Sequence, residues 1–318
     1  MSTSISWGCG QSYSISYSYI ATGFTFRQWA SDAGSFANQA SQSTTFYPAG
    51  NSGAIAMVLQ YDGPRNWGGY VADIASAPPG TTSWSAYATF ILPTSASYVQ
   101  APNSGIDKVS VWAGLGGCSP GLPPPCGTNL WQAGFLMTVT SGGSVAVHPF
   151  TEECTTTNCQ PAYIWNGLFN TVNIALGDRV YVQVSYSTSG GVSFYMQDYG
   201  PGDTWTLQGG CPGNCIANYA SDTESSEWVV EAPTAVASGS DCGVQQGYLC
   251  VLPNYGSFTI PNNSFGTTPL SADFALGLLR TIGDDSHQPS DYSNPSYLTN
   301  GPISNSGGWT VTWGTTPG

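Results

Sequence analysis

Two glutamates bracket one short apolar run, Ser225-Ser226-Glu227-Trp228-Val229-Val230-Glu231-Ala232-Pro233. As a strand, this run puts Glu227, Val229 and Glu231 on one face and Trp228 and Val230 on the other. At about 3.3 Å per residue the two glutamates stand about 13 Å apart, beyond the roughly 5–9.5 Å that separates a glycosidase pair. They are therefore not acid and base to each other. A glutamate within such a run faces solvent, is buried with a partner, or sits in a cleft with a raised pKa. The last placement is the one that performs general acid–base chemistry.

Other chemistries lack carriers. His148 and His287 are the only histidines, and an imidazole is protonated in acid and cannot serve as a base there. Gly117-Cys118-Ser119-Pro120-Gly121 fits GxSxG formally, but its serine lies between Cys118 and Cys126 rather than on a strand-to-helix elbow. The chain has no HExxH, no EF-hand loop and no Asp-Thr-Gly or Asp-Ser-Gly. Zinc would want clustered histidines or adjacent CxxC units, but the two histidines are far apart in sequence and no CxxC occurs, so no metal and no cofactor are expected. The carboxylates remain, and only five are glutamates: Glu152, Glu153, Glu224, Glu227 and Glu231.

The elements that must position these groups read as strands. Forty glycines and 22 prolines punctuate the chain. Between them lie alternating runs such as 109–115, 180–187, 192–198 and 309–313, the period-2 pattern of half-buried strands. The best helical candidate is 270–281 (LSADFALGLLRT). Many short strands with turn signals between them predict an all-β sandwich or barrel. Residues 1–60 are rich in Ser, Tyr, Gln and Ala. Within them SYSISYSYIATGFTF alternates like a strand and the next thirty residues read as loop. We place a boundary near residue 60, with 1–60 as a pro-region, an extra strand or an arm, and 61–318 as the main domain.

Composition bounds the setting. Charged residues make up 7% of the 318, against roughly 25% in ordinary soluble proteins, with 5 Lys and Arg against 18 Asp and Glu. Five scattered bases cannot neutralise a phosphate backbone, so nucleic acid is not an expected partner. No apolar run reaches the roughly 18–20 residues of a membrane span. In strong acid the bases limit the net charge to at most about +8, so acid does not push this chain apart as it does most proteins. Nine cysteines include four close pairs, Cys118 with Cys126, Cys154 with Cys159, Cys211 with Cys215 and Cys242 with Cys250. Local pairing is the simplest choice and implies an oxidising, extracellular setting for a secreted protein. Cys9 is left over, free or bonded to another chain, and with the N-terminal arm it marks a place for intermolecular contact. No signal peptide leads the chain, which reads as a mature or trimmed product.

The glutamate run resembles the AEWIVE signature of the glutamic peptidases (eqolisins, the scytalidoglutamic peptidase family). Further landmarks follow in order. Asn66-Trp67-Gly68-Gly69 resembles the family's NWGG, and TSWSAYATFILPT (82–94) its early strand. KVSVWAGLGG (108–117) resembles SAWVGIDG, and NLWQAGFLM (129–137) resembles ILQTGVDF, which carries the family's glutamine. LGDRVYVQV (176–184), LPNYGSFTI (252–260) and GGWTVTW (307–313) resemble later strands. The resemblance spans about 60–318. It implies a concanavalin A-like sandwich of two antiparallel β-sheets and an endopeptidase acting on polypeptide. Gln132 and Glu227 match the catalytic dyad. Trp67 and Trp112 match tryptophans that line the cleft, and Gly116 and Glu231 match further cleft positions.

In that chemistry the glutamate, titrating near pH 4, takes a proton from water and returns one to the leaving amine. The glutamine amide hydrogen-bonds the developing oxyanion and helps orient the water. Trp228, on the opposite face, is expected in the core. The chain departs from the family pattern in several places. The family's Asp of WVGIDG is Gly116. PAYIWNG (161–167) stands for the family's Trp-Tyr-Glu-Trp-Tyr-Pro segment and lacks its glutamate. Disulfide-prone loops are inserted, and the basic pro-segment is missing. Gly116, the missing cleft glutamate, the odd Cys9 and the Tyr/Ser-rich N-terminal arm motivate one rival, a structural surface or filament protein that kept the fold and lost the activity. The 11 Trp and 18 Tyr motivate another, a glycan-binding sandwich.

Overall fold

The computed structural model describes residues 8, 10–17, 24–31, 34–50, 55–61, 67–73, 80–99, 106–116, 129–154, 163–164, 174–200, 206–210, 225–233, 242, 250–261, 265–268, 278–282, 297–300 and 308–314. Among these residues the regular elements are all strands. The first six are β1 (Tyr13–Ser16), β2 (Phe24–Ser31), β3 (Gly34–Phe36), β4 (Ser43–Pro48), β5 (Ile55–Tyr61) and β6 (Trp67–Asp73). Then come β7 (Ser83–Ile91), β8 (Ile106–Gly116), β9 (Leu130–Thr140), β10 (Val145–Cys154) and β11 (Tyr163–Ile164). Next are β12 (Arg179–Ser187), β13 (Gly191–Asp198), β14 (Thr206–Gly210), β15 (Ser225–Glu231) and β16 (Ser257–Ile260). The last are β17 (Phe265–Thr268), β18 (Leu278–Ile282), β19 (Tyr297–Asn300) and β20 (Trp309–Gly314).

Two large sheets face each other. The first has nine strands in the order β11-β10-β9-β8-β15-β6-β18-β5-β2, and all its pairs are antiparallel except β18 with β5. The second runs β14-β13-β12-β7-β16-β20-β19, with β17 also paired to β7. The alternation read from the sequence explains the packing. Val109, Val111, Ala113 and Leu115 of β8, Phe135 and Met137 of β9, and Trp228 and Val230 of β15 turn inward. They meet Ala86, Ala88 and Phe90 of β7 and Val180, Val182 and Val184 of β12. Burying these faces against each other is the main stabilisation of a sandwich. Trp228 also ties the sheets together, because its Nε1–H donates to the backbone oxygen of Tyr87 at 2.9 Å.

Several expectations need correction. The helix expected at 270–281 is not what its last residues form. Leu278–Ile282 is a strand lying between β5 and β6, and 270–277 fall outside the described residues. Two open strand edges, each offering unpaired N–H and C=O groups, outweigh a weak local helical periodicity. The stretch read as loop after residue 26 contains β3, β4 and most of β2. β1, β4 and β3 make a small separate sheet around Phe46, which is fully buried with Tyr13, Ile15, Phe36 and Ile55 packed on it. Isolated Tyr, Phe and Ile among serines and threonines suffice here, because one aromatic ring anchors three short strands. β2 and β5 extend the nine-stranded sheet past β18, so residues 24–31 and 55–61 contribute backbone to the sheet that carries the glutamate run.

Candidate active site

The nine-stranded sheet shows its other face, away from the inter-sheet core, to the candidate site. Strand register places the groups. Glu227 pairs with Gly114, Gly114 pairs with Gln132, and Gln132 pairs with Glu152. Directly paired residues point to the same face, so β15, β8, β9 and β10 present one row: Glu227, Gly114, Gln132, Glu152. The next row holds Val229, Trp112, Gly134 and Phe150, and the row after it Glu231, Ser110, Leu136 and His148.

Gly114 stands between the two dyad candidates. With neighbouring strands about 4.8 Å apart, the Gln132 and Glu227 backbones are about 10 Å apart. A Cβ at position 114 would sit 2.9 Å from Leu130 Cδ1 and 3.0 Å from Trp112 Cζ3. Leu130 and Trp112 thus close over the glycine, and position 114 between glutamine and glutamate has no room for a side chain.

Each polar group in the row is held. Glu227 is fully buried, and its Oε1 accepts a hydrogen bond from Ser225 Oγ at 2.6 Å. The same hydroxyl lies 2.9 Å from the carbonyl oxygen of Gly116. Gly116 ends β8 with φ +81°, a left-handed conformation that side-chain-bearing residues rarely adopt. What it offers Ser225 is its backbone carbonyl. Gln132, 5% exposed, donates from Nε2 to Glu152 Oε2. Its Oε1 is buried and accepts no hydrogen bond among the described residues.

Glu152 is the acidic neighbour that the sequence reading missed. The cleft glutamate was sought in PAYIWNG, but Tyr163 and Ile164 of that segment form the edge strand beyond β10, opposite Thr151 and Phe150. Glu152, one strand closer, is hydrogen-bonded to Gln132 itself. Its carboxyl is pushed up to about 8, mainly by burial. The negative charge of Glu231 adds to the rise and the Gln132 hydrogen bond opposes it. In acid and at neutral pH Glu152 is therefore an uncharged carboxylic acid. The signal available in the sequence was position: Glu152 and Glu153 are two of only five glutamates and lie one hairpin after Gln132.

Trp112 is fully buried on this face, outside the inter-sheet core, and its Nε1–H donates to Glu231 Oε2 at 2.8 Å. Glu231 is thus a partner of Trp112 and an electrostatic neighbour of Glu152. Trp67 stands opposite Glu231 in the register of β6 with β15. Of the predicted disulfides, Cys242–Cys250 is formed, and Cys154 is also disulfide-bonded. Cys9, Cys118, Cys126, Cys159, Cys211 and Cys215 lie outside the described residues. No cluster of metal-ligating side chains occurs among the described residues, and none of them forms a helix long and apolar enough to cross a membrane.

The two-sheet sandwich thus carries Gln132 and Glu227 on one face, each the cross-strand partner of Gly114. The chain belongs to the Peptidase A4 family, whose model matches residues 65–313, and is at the family level a glutamic endopeptidase. Among solved structures it is similar to scytalido-glutamic peptidase with a peptide-based transition-state analogue. That match has 15% identity and TM-score 0.49, and covers 78% of this chain and 98% of that one. It is also similar to SCP-B, a member of the eqolisin family in complex with the tripeptide Ala-Ile-His. Here identity is 14%, TM-score 0.47, and coverage 79% and 98%. No curated protein matches it in sequence.

Proposed function

We propose that the chain is a secreted, acid-acting endopeptidase in which Glu227 and Gln132 activate water against a peptide bond. The observation that carries this reading is the row Glu227, Gly114, Gln132. It sets a carboxyl and an amide on either side of a glycine that Leu130 and Trp112 approach too closely for any side chain. Glu227 takes a proton from water as the oxygen attacks the scissile carbonyl, then returns one to the leaving amine. The Gln132 amide keeps one N–H on Glu152 and has a second for the developing oxyanion. No covalent acyl intermediate forms, because water is the nucleophile.

Glu152 supports the chemistry by being neutral. A carboxylic acid holds the glutamine in place without a charge that would repel the oxyanion. Glu227 carries no exposed surface, a setting poor in water. The low charge and the disulfide support an extracellular, acidic setting. The test is hydrolysis of an unfolded protein substrate at pH 3. A wild type that cuts, with Glu227→Gln and Gln132→Ala both silent, supports the reading. Undiminished cleavage by either variant overturns the dyad.

A further inference from the structure

Resting on Glu227 as the acid–base group, we propose that Ser225 is its positioning residue and holds the carboxyl in one orientation through both the ionised and the protonated state. Ser225 and Glu227 are two residues apart on β15 and share a face, and both are fully buried. The Ser225 hydroxyl has one proton and two acceptors in reach, Glu227 Oε1 at 2.6 Å and Gly116 O at 2.9 Å.

When Glu227 is ionised, the proton belongs on the shorter, charge-assisted contact, and the carboxylate gains a donor that water cannot supply in a buried site. When Glu227 has taken a proton from water, that incentive disappears. The hydroxyl is then free to turn to the Gly116 carbonyl, while the acidic proton stays on Oε2, the oxygen that took it from water and returns it to the amine. Only a hydroxyl rotor moves. Ser225 neither gains nor loses a proton, and the glutamate need not rotate between acting as base and as acid.

The other titratable groups on this face of the described strands are Glu152, His148, Glu231 and Lys108. By register Asp73 stands opposite Ser225, and Arg280 stands opposite Val71, the β6 partner of Glu227. All of them are the same in wild type and in a Ser225 variant, so a change in Glu227 titration between the two isolates the hydroxyl.

The experiment is a carbon-13 NMR titration of the full chain labelled at glutamate Cδ, tractable with five glutamates, beside the pH profile of kcat/KM. Ser225→Ala is expected to raise the Glu227 midpoint by about one pH unit, the effect of losing one hydrogen bond to a charged group. The acid limb of kcat/KM should move up with it, and the maximum should fall at least about tenfold. Ser225→Thr should keep the wild-type midpoint. Ser225→Thr and Ser225→Val, near-equal in shape, repeat the comparison with only the hydroxyl different if the alanine variant does not fold. A Glu227 midpoint that is unchanged in the variants lacking the hydroxyl overturns the proposal. A shifted midpoint in a wild type that cleaves nothing at any pH keeps Ser225 as the partner of Glu227 and instead removes the peptidase reading.

Discussion

Gln132 and Glu227 meet the same residue from opposite sides: each is the direct cross-strand partner of Gly114. The two groups that would act on one peptide bond are thus set by sheet register rather than by loops. Register is hard to slip where the reverse face is packed into a core, because a one-residue shift would turn Trp228 and Val230 outward. The site inherits the rigidity of the sandwich.

Gly114→Ala should separate fold from function. The new methyl meets the ends of the Leu130 and Trp112 side chains, which can give by a few tenths of an ångström, and the Trp131 carbonyl at 3.1 Å, which gives less. We expect a stability loss of about 1–2 kcal/mol, read by denaturant unfolding. The loss in kcat/KM should be larger, at least about 30-fold, because pushing Leu130 and Trp112 aside disturbs the row that holds Gln132 and Glu227 in place.

Glu152 predicts a pH dependence with a definite sign. Its carboxyl titrates near 8 when folded, against 4.5 ordinarily. Between those values the folded state holds a proton that the unfolded state has released. Folding stability contributed by this group is therefore full below about 4.5 and is lost as pH rises toward about 8, with a slope of at most about 1.4 kcal/mol per pH unit. Thermal unfolding measured from pH 4 to 8 should show a falling Tm in wild type and a flatter profile in Glu152→Gln. Glu231→Gln removes one cause of the rise, so the fall should extend over a narrower range.

Trp112→Phe takes the indole donor away from Glu231. A carboxylate that loses a hydrogen bond in a part-buried setting costs about 1.5–3 kcal/mol. Urea unfolding should show that loss, and the double variant Trp112→Phe with Glu231→Gln should recover part of it, as a double-mutant cycle reads.

Tyr255 offers a prediction away from the site. It is buried in the inter-sheet core, and its hydroxyl finds no partner among the described residues. Burial pushes the phenol well above its usual range. Removing the hydroxyl removes an unpaid desolvation, so Tyr255→Phe should raise stability by about 1 kcal/mol. A lower Tm in the variant would contradict this.

The legible parts of the molecule were those where one periodicity served one purpose. β12 and β13 alternate because one face packs and the other does not, whereas β8, β9 and β15 are buried on both faces over most of their length. Glu227 drew attention because two glutamates bracket an apolar run, whereas Gln132 was singled out by the resemblance of NLWQAGFLM to the family's ILQTGVDF. Glu152 was not, because TEEC shows two adjacent glutamates on opposite faces of a strand, and only the register with Gln132 distinguishes them. Ser225 was one serine among many. β18 was misread because its strand state comes from two neighbours distant in sequence, β5 and β6, and not from its own pattern. The short strands between residues 27 and 50 are held by a single phenylalanine, too sparse a signal for periodicity.

The most direct measurement is hydrolysis of denatured protein from pH 2 to 7 by wild type, Glu227→Gln and Gln132→Ala, with pepstatin present to silence any aspartic protease. The account predicts acid activity in wild type that collapses at least about a hundredfold in both variants while all three remain folded. A folded wild type with no activity anywhere in that range, or a variant as active as wild type, would contradict it.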